Sequence, residues 1–174
     1  IVALLALPCG EAVNGHAQTP KKGGTINVGL NTDVTAVDPH TVTADVVALV
    51  FNHVVEPLIA HGYDFKLEPV LAERWENSKD YKQFTFHLRK GRVFHNGREM
   101  VADDVKYSLE RFMKVNPRRD LLKNVERIEA VDRHTVRLTM KEADVSVLFA
   151  LGGLSPVIGI VPKEEVEKQG GTFK

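Results

Sequence analysis

The chain has one cysteine among its 174 residues, Cys9, so neither a disulfide framework nor a cysteine-based zinc site can be built. No stretch approaches the roughly 20 consecutive apolar residues that span a bilayer. Neither sign of charge dominates, with 23 Lys and Arg against 23 Asp and Glu, which removes the electrostatic case for nucleic acid or an anionic membrane. No repeat of solenoid period is visible. The seven histidines form no HxxxH or HExxH pair, so no metal and no cofactor is expected. Ser108 has no GxSxG around it, and no base–nucleophile pair marks an enzyme. What is present, 43% hydrophobic and 26% charged residues, is the composition of a soluble globular protein.

The N-terminus reads as targeting rather than fold. Ile1–Leu7 is a short apolar run closed by Pro8, and Gly15-His16-Ala17 places small side chains at the −3 and −1 positions of a cut after Ala17. Residues 1–17 are therefore expected to be the remnant of a secretory signal peptide. Pro8 directly before Cys9 argues against lipidation of that cysteine. Residues 18–24 read as a linker.

Thr25–Leu30 alternates as a strand, and Asn31–His40 is a polar loop ending in an Asp-Pro turn signal. A helix is expected from Asp45 to about Val55, with Val46, Leu49, Val50 and Val54 on its apolar face, ended by Pro57. Leu58–Ile59 suits a short strand. Leu67–Trp75 reads as a Pro-led turn and one helical turn. Phe84, Phe86 and Leu88 then alternate with polar residues as a half-buried strand, followed by a short apolar segment at Val93-Phe94. Asn96-Gly97 is the strongest turn dipeptide in the chain. From Ala102 the spacing becomes helical, with Val105, Leu109, Phe112 and Met113 on one face and Asp103-Asp104 placed to complement the helix dipole. Asn116–Asp120 is a charged loop. Val125–Val131 and Thr135–Met140 are strands, Val145–Leu151 is a helix stopped by Gly152-Gly153, Pro156–Val161 is extended, and Lys163 opens a charged helical tail. This order gives a mixed α/β (α+β) class.

Several of these blocks stand together in one order: Gly23–Leu30, Asp38-Pro39-His40, Glu56-Pro57-Leu58, Leu71–Glu76, Phe84–Gly91, Phe94–Gly97, Ala102–Ser108 and Ile160–Lys163. In that order they resemble the family 5 extracellular solute-binding proteins of ABC transporters, the peptide/nickel-binding group. One departure is Val101, where such chains usually carry Thr; the missing side-chain N-cap costs about 1 kcal/mol, and Asp103 and Asp104 are placed to offset part of it. Members are also much longer. The resemblance therefore implies an N-terminal fragment of a type II periplasmic-binding-protein fold, in which residues 25–174 supply the first strand of lobe I and the accessory subdomain, without the second lobe.

The resemblance implies a periplasmic or extracytoplasmic protein, monomeric and not an enzyme, that closes by a hinge around a small solute, expected to be short peptides, and presents it to a membrane permease. Ligand-facing residues are expected at Asn31, Thr32 and Asp33, beyond the carboxyl end of the first strand, since ligands collect there in such sheets. Arg118 and Arg119, after the signature helix, and Ser155, in the Gly153-Leu154-Ser155 turn, complete the candidates. Two other readings are a cytoplasmic ligand sensor on the same fold and a hydrolase using Asp33, Asp38 and Asp103.

Overall fold

The computed structural model describes residues 23–34, 36–153 and 158–173. The expected signal remnant, the start of the linker, and Ser155 lie outside them. The core is a four-stranded antiparallel sheet in the order β3 (Ala72–Asn77), β4 (Gln83–Leu88), β6 (Thr135–Met140), β5 (Val125–Asp132), with α2 (Ala102–Val115) across one face. Phe84 pairs with Leu138 and Phe86 with Val136, and all four point into the core. Val105, Leu109 and Phe112 of α2 close over them, fully buried, as the helical and strand periodicities require. A separate two-stranded hairpin, β1 (Ile59–His61) and β2 (Leu67–Pro69), carries α3 (Ser146–Leu151) against it. The remaining helices are short: α1 (Asp45–Phe51) and α4 (Lys163–Lys168).

Four expectations are corrected. Thr25–Leu30 has no regular structure, and Ile26, Val28 and Leu30 are exposed, because no described strand stands beside it to complete a ladder. The Leu67–Trp75 stretch is not a helical turn; Ala72 pairs with Leu88 and Trp75 with Phe86, so the edge of β4 overrides the local pattern. The first helix ends at Phe51, and its buried face is Val47 and Phe51 rather than Leu49 and Val54. Val93-Phe94 forms no strand beyond one bridge, Val93 to Glu99.

The Asn96-Gly97 turn is present in a different form from the two-residue hairpin. Gly97 N–H donates to Phe94 O, Phe94 N–H donates to Arg98 O, and only Gly97 takes positive φ (82°). This is a three-residue loop with glycine in the left-handed position. It delivers Arg98 to the start of α2, where Asp104 Oδ2 accepts the Val101 N–H at 3.0 Å and both its oxygens accept from Arg98. The valine has no acceptor of its own, so only the return half of a capping box exists.

Candidate ligand-facing site

Of the expected ligand-facing residues, Asn31, Thr32, Asp33, Arg118 and Arg119 are described and share no cavity. Asn31, Thr32 and Asp33 are exposed and line neither cavity described below; Asp33 Oδ1 accepts the next N–H, that of Val34, at 2.7 Å. Arg118 and Arg119 are exposed where a 3-10 turn (Arg119–Leu122) begins, and Asn116 shapes that approach. Its buried side chain accepts the Arg118 N–H at 2.7 Å and donates to His40 O at 2.9 Å. The 3-10 turn packs on α3, and between them lies a cavity of about 360 Å³ lined by Asp120, Leu121, Lys123, Asp144, Ser146, Phe149, Ala150 and Gly153. Of the expected site residues that are described, none is in this lining, which takes in instead Asp120, next to Arg119, and Gly153. Phe149 is exposed at its rim and stacks on His61, ring centroids 5.1 Å apart. The Asp144 carboxyl is held below its usual range by hydrogen bonds from Ser146 and Asn124.

A larger cavity, about 530 Å³, lies on a different part of the body, between Val37, Pro39, Phe51, Val54, Phe94, Met100, Ile160 and Phe173, with Arg92, His95, Glu165 and Gln169 among its polar lining. Beside it sits a buried polar cluster that sequence reasoning missed. Asp38, read above as part of a turn motif and as one acid of the hydrolase alternative, receives Arg111 through both carboxylate oxygens and also accepts the N–H groups of His40 and Phe173. The Arg111 guanidinium donates further to Gly171 O at 2.8 Å. Burial alone would raise the Asp38 pKa, but the guanidinium and the two backbone N–H groups outweigh it and hold the carboxyl below its ordinary value.

His40 is fully buried edge-on to Phe112, with Nε2 2.8 Å from Gly159 O and Nδ1 without a partner among the described residues. Nε2 therefore carries the proton, and burial, aided by the Arg111 cation, pushes the ring pKa down to about 4. Asp104, Ser108 and Arg111 recur at i, i+4 and i+7 on α2, a polar stripe beside the apolar one. Ser108 Oγ accepts the Val161 N–H at 3.0 Å, Asp104 holds Arg98, and Arg111 holds Asp38. One helix face grips the sheet and the adjoining face grips the segments that are not sheet. That spacing of buried polar residues was the available signal.

The arrangement offers two cavities open to a bound molecule. The carboxylate of Asp38 is taken up by Arg111, which removes the middle member of the Asp33–Asp38–Asp103 hydrolase reading. Among the described residues no three His, Cys, Asp or Glu side chains are placed to hold a metal ion, and no helix is long and apolar enough to cross a membrane.

Residues 66–174 match the model of "Bacterial extracellular solute-binding proteins, family 5 Middle". The chain is 41% identical over 113 residues to di/tripeptide-binding protein 1 of Pseudomonas aeruginosa, covering 53% of this chain and 21% of that relative. It is 28% identical over 172 residues to the glutathione-binding protein GsiB of Salmonella choleraesuis, covering 96% of this chain and 32% of that one. Among solved structures, the binding protein AgaA of A. tumefacien R10, in complex with agropinic acid, superposes with a TM-score of 0.71 at 33% identity, over 79% of this chain and 28% of the other. The chain therefore spans between about a fifth and a third of the length of these relatives. With the family model matched over well more than half of its residues, the chain belongs to the bacterial extracellular solute-binding proteins of family 5.

Proposed function

We propose that the chain is the N-terminal part of a periplasmic binding protein that captures short peptides and delivers them to an ABC import permease. Residues 1–17 serve as the export signal and 18–24 as a linker. Residues from 25 onward supply part of the first lobe and an accessory body, and the second lobe follows later in the polypeptide. The protein acts as a monomer: ligand held between two lobes is contacted by both only in the closed state, so it shifts the population toward closure. The observation that carries this reading is the family match over residues 66–174 together with the 41% identity to a protein named for di- and tripeptides. The glutathione relative points the same way, since glutathione is itself a tripeptide.

The cavity between the 3-10 turn and α3 is the part of this body that faces the ligand, with Gly153 in its lining and Arg118 and Arg119 just before the Asp120 that lines it; Ser155 is proposed to contribute beside them. The Asn31–Asp33 loop contributes from a separate direction. Two experiments test the reading. An alkaline phosphatase reporter fused behind the complete N-terminus is expected to be exported, and a cytoplasmic reporter would sink the importer reading in favour of a cytoplasmic sensor. Calorimetry with trialanine and with glutathione is expected to show micromolar binding to the longer chain and none to residues 1–174 alone.

A further inference from the structure

We propose that Asn96 is a site of covalent modification: it loses its side-chain amide through a ring formed with Gly97, and the carboxylate left behind loosens α4 from the loop that holds it. This is independent of which solute the protein binds.

In an Asn-Gly pair the next backbone nitrogen reaches the side chain with little hindrance, because glycine puts no Cβ in its way. The sequence has two such pairs, of which Asn14-Gly15 lies outside the described residues. Asn96 and Gly97 are exposed, and no atom stands within 4 Å of where a Gly97 Cβ would be. The Gly97 nitrogen attacks Asn96 Cγ, and the nitrogen's proton leaves with the amide NH2 as ammonia, closing a five-membered succinimide. Water then opens the ring, its hydroxyl going to a carbonyl carbon and its proton to the imide nitrogen. Opening at Cγ gives aspartate, and opening at the backbone carbonyl gives isoaspartate. The folded loop slows the first step, since Gly97 N–H donates to Phe94 O at 2.9 Å and Asn96 Oδ1 accepts the Arg98 N–H at 3.0 Å.

The contacts of the amide set what its loss does. Asn96 Nδ2 donates to Glu164 Oε1 at 3.2 Å and to Glu165 Oε1 at 3.3 Å, so a neutral donor bridges two carboxylates in the first turn of α4. Hydrogen bonds from Arg98 hold the Glu164 carboxyl down at about 2, so it is ionised at neutral pH. Turning the donor into a third carboxylate replaces two charge-assisted hydrogen bonds with like-charge repulsion. Arg98 has no N–H left to take up the new charge. Its five already go to Glu164 (Nε and Nη2), Asp104 (Nη1 and Nη2) and Glu99 O (Nη1). Lys168 already serves Glu165 at 2.9 Å. Val166, fully buried, still anchors the helix, so the first turn of α4 loosens while the element stays in place.

The test ages the purified full-length protein at mildly alkaline pH beside a synthetic peptide of residues 93–98. Mass spectrometry of the tryptic fragment Val93–Arg98 is expected to show ammonia lost and water gained at Asn96, as aspartate and isoaspartate, more slowly than in the peptide. Hydrogen exchange over residues 163–168 reads the consequence. Asn96→Asp is expected to exchange about threefold or more faster than wild type at low salt, and by a smaller factor at high salt, where the repulsion is screened. Asn96→Ala, which drops the donors without adding a charge, is expected to fall between the two and to be insensitive to salt. The aged wild-type protein is expected to move toward Asn96→Asp. Asn96 intact when the peptide has fully converted would overturn the modification. Exchange in Asn96→Asp no faster than in Asn96→Ala would overturn the loosening of α4.

Discussion

Arg111 and Asp38 lie 73 positions apart in the chain and meet in the interior as a two-point ion pair, Nη1 to Oδ1 at 2.9 Å and Nη2 to Oδ2. Their side chains are only 5% and 1% exposed, so each depends on the other for its solvation. Removing one partner leaves a bare buried charge, whereas removing both need not. Arg111→Met is therefore expected to cost about 3–5 kcal/mol, and Arg111→Met with Asp38→Leu to recover much of that loss. Urea unfolding of the two variants checks it. A double variant no more stable than the single would show that the bonds to Gly171 and Phe173 matter more than the charge pair.

His40 makes stability depend on pH. Its folded pKa, about 4, lies below the ordinary 6.5, so between these values the unfolded chain binds more protons than the folded one. The stability from burying the neutral ring is complete above about pH 6.5 and is lost as pH falls through 4, a change on the order of 3 kcal/mol. Asp38, also depressed, adds a further loss only at lower pH, below its ordinary value of 3.8. Urea midpoints measured from pH 7 to pH 4 should fall steadily, and His40→Asn should flatten that slope.

Gly159 is held by close approach rather than by backbone angle. A Cβ there would stand 2.4 Å from Val55 Cγ2 and 2.7 Å from Val55 Cβ. Gly159→Ala is expected to destabilise by about 1–3 kcal/mol through overpacking. Adding Val55→Ala should restore only part, since the Cβ contact persists; thermal melts of the three proteins decide.

Val101 has the extended backbone of an N-cap (φ −131°, ψ 171°) but no acceptor in its side chain. Val101→Thr should complete the capping box that Asp104 already half makes, adding about 1 kcal/mol. Denaturant titration showing no gain would mean that Arg98 and Asp104 already satisfy the helix start.

At the tip of the β1–β2 hairpin, Phe65 is exposed and takes φ 61°, a left-handed conformation that non-glycine residues resist. Phe65→Gly is expected to stabilise by about 0.5–1 kcal/mol, the relief of strain exceeding the extra flexibility of the unfolded chain. The same change at Tyr63, which is not left-handed, should not stabilise. Paired thermal melts separate the two.

Local information carried the reading from Phe84 to Val115. A strand, a turn and an amphipathic helix follow one another there, and each is set by neighbours within a few residues. Leu67–Trp75 does not hold the expected helical turn, because the strand state of Ala72–Trp75 is conferred by β4, which lies later in the chain. The Thr25–Leu30 alternation was real as a pattern, but a ladder needs a partner that the described residues do not supply. Hydrophobic periodicity also cannot say which charged residue meets which, so the Asp38-Pro39-His40 block carried no sign of Arg111, 73 positions on. Of the expected ligand-facing residues, Arg118 and Arg119 lie just before the Asp120 that lines the smaller cavity, while Asn31–Asp33 rests on a strand that does not form alone.

The neighbouring positions of Asp38 and Phe173 also bear on how such a body can be handled in evolution and in the laboratory. A unit whose entry and exit sit a hydrogen bond apart occupies little more than one loop's width on whatever carries it. It can be spliced into a host loop, excised, or circularly permuted by joining residue 173 to residue 36 and opening new ends at the exposed Tyr63 tip, without redrawing the sheet.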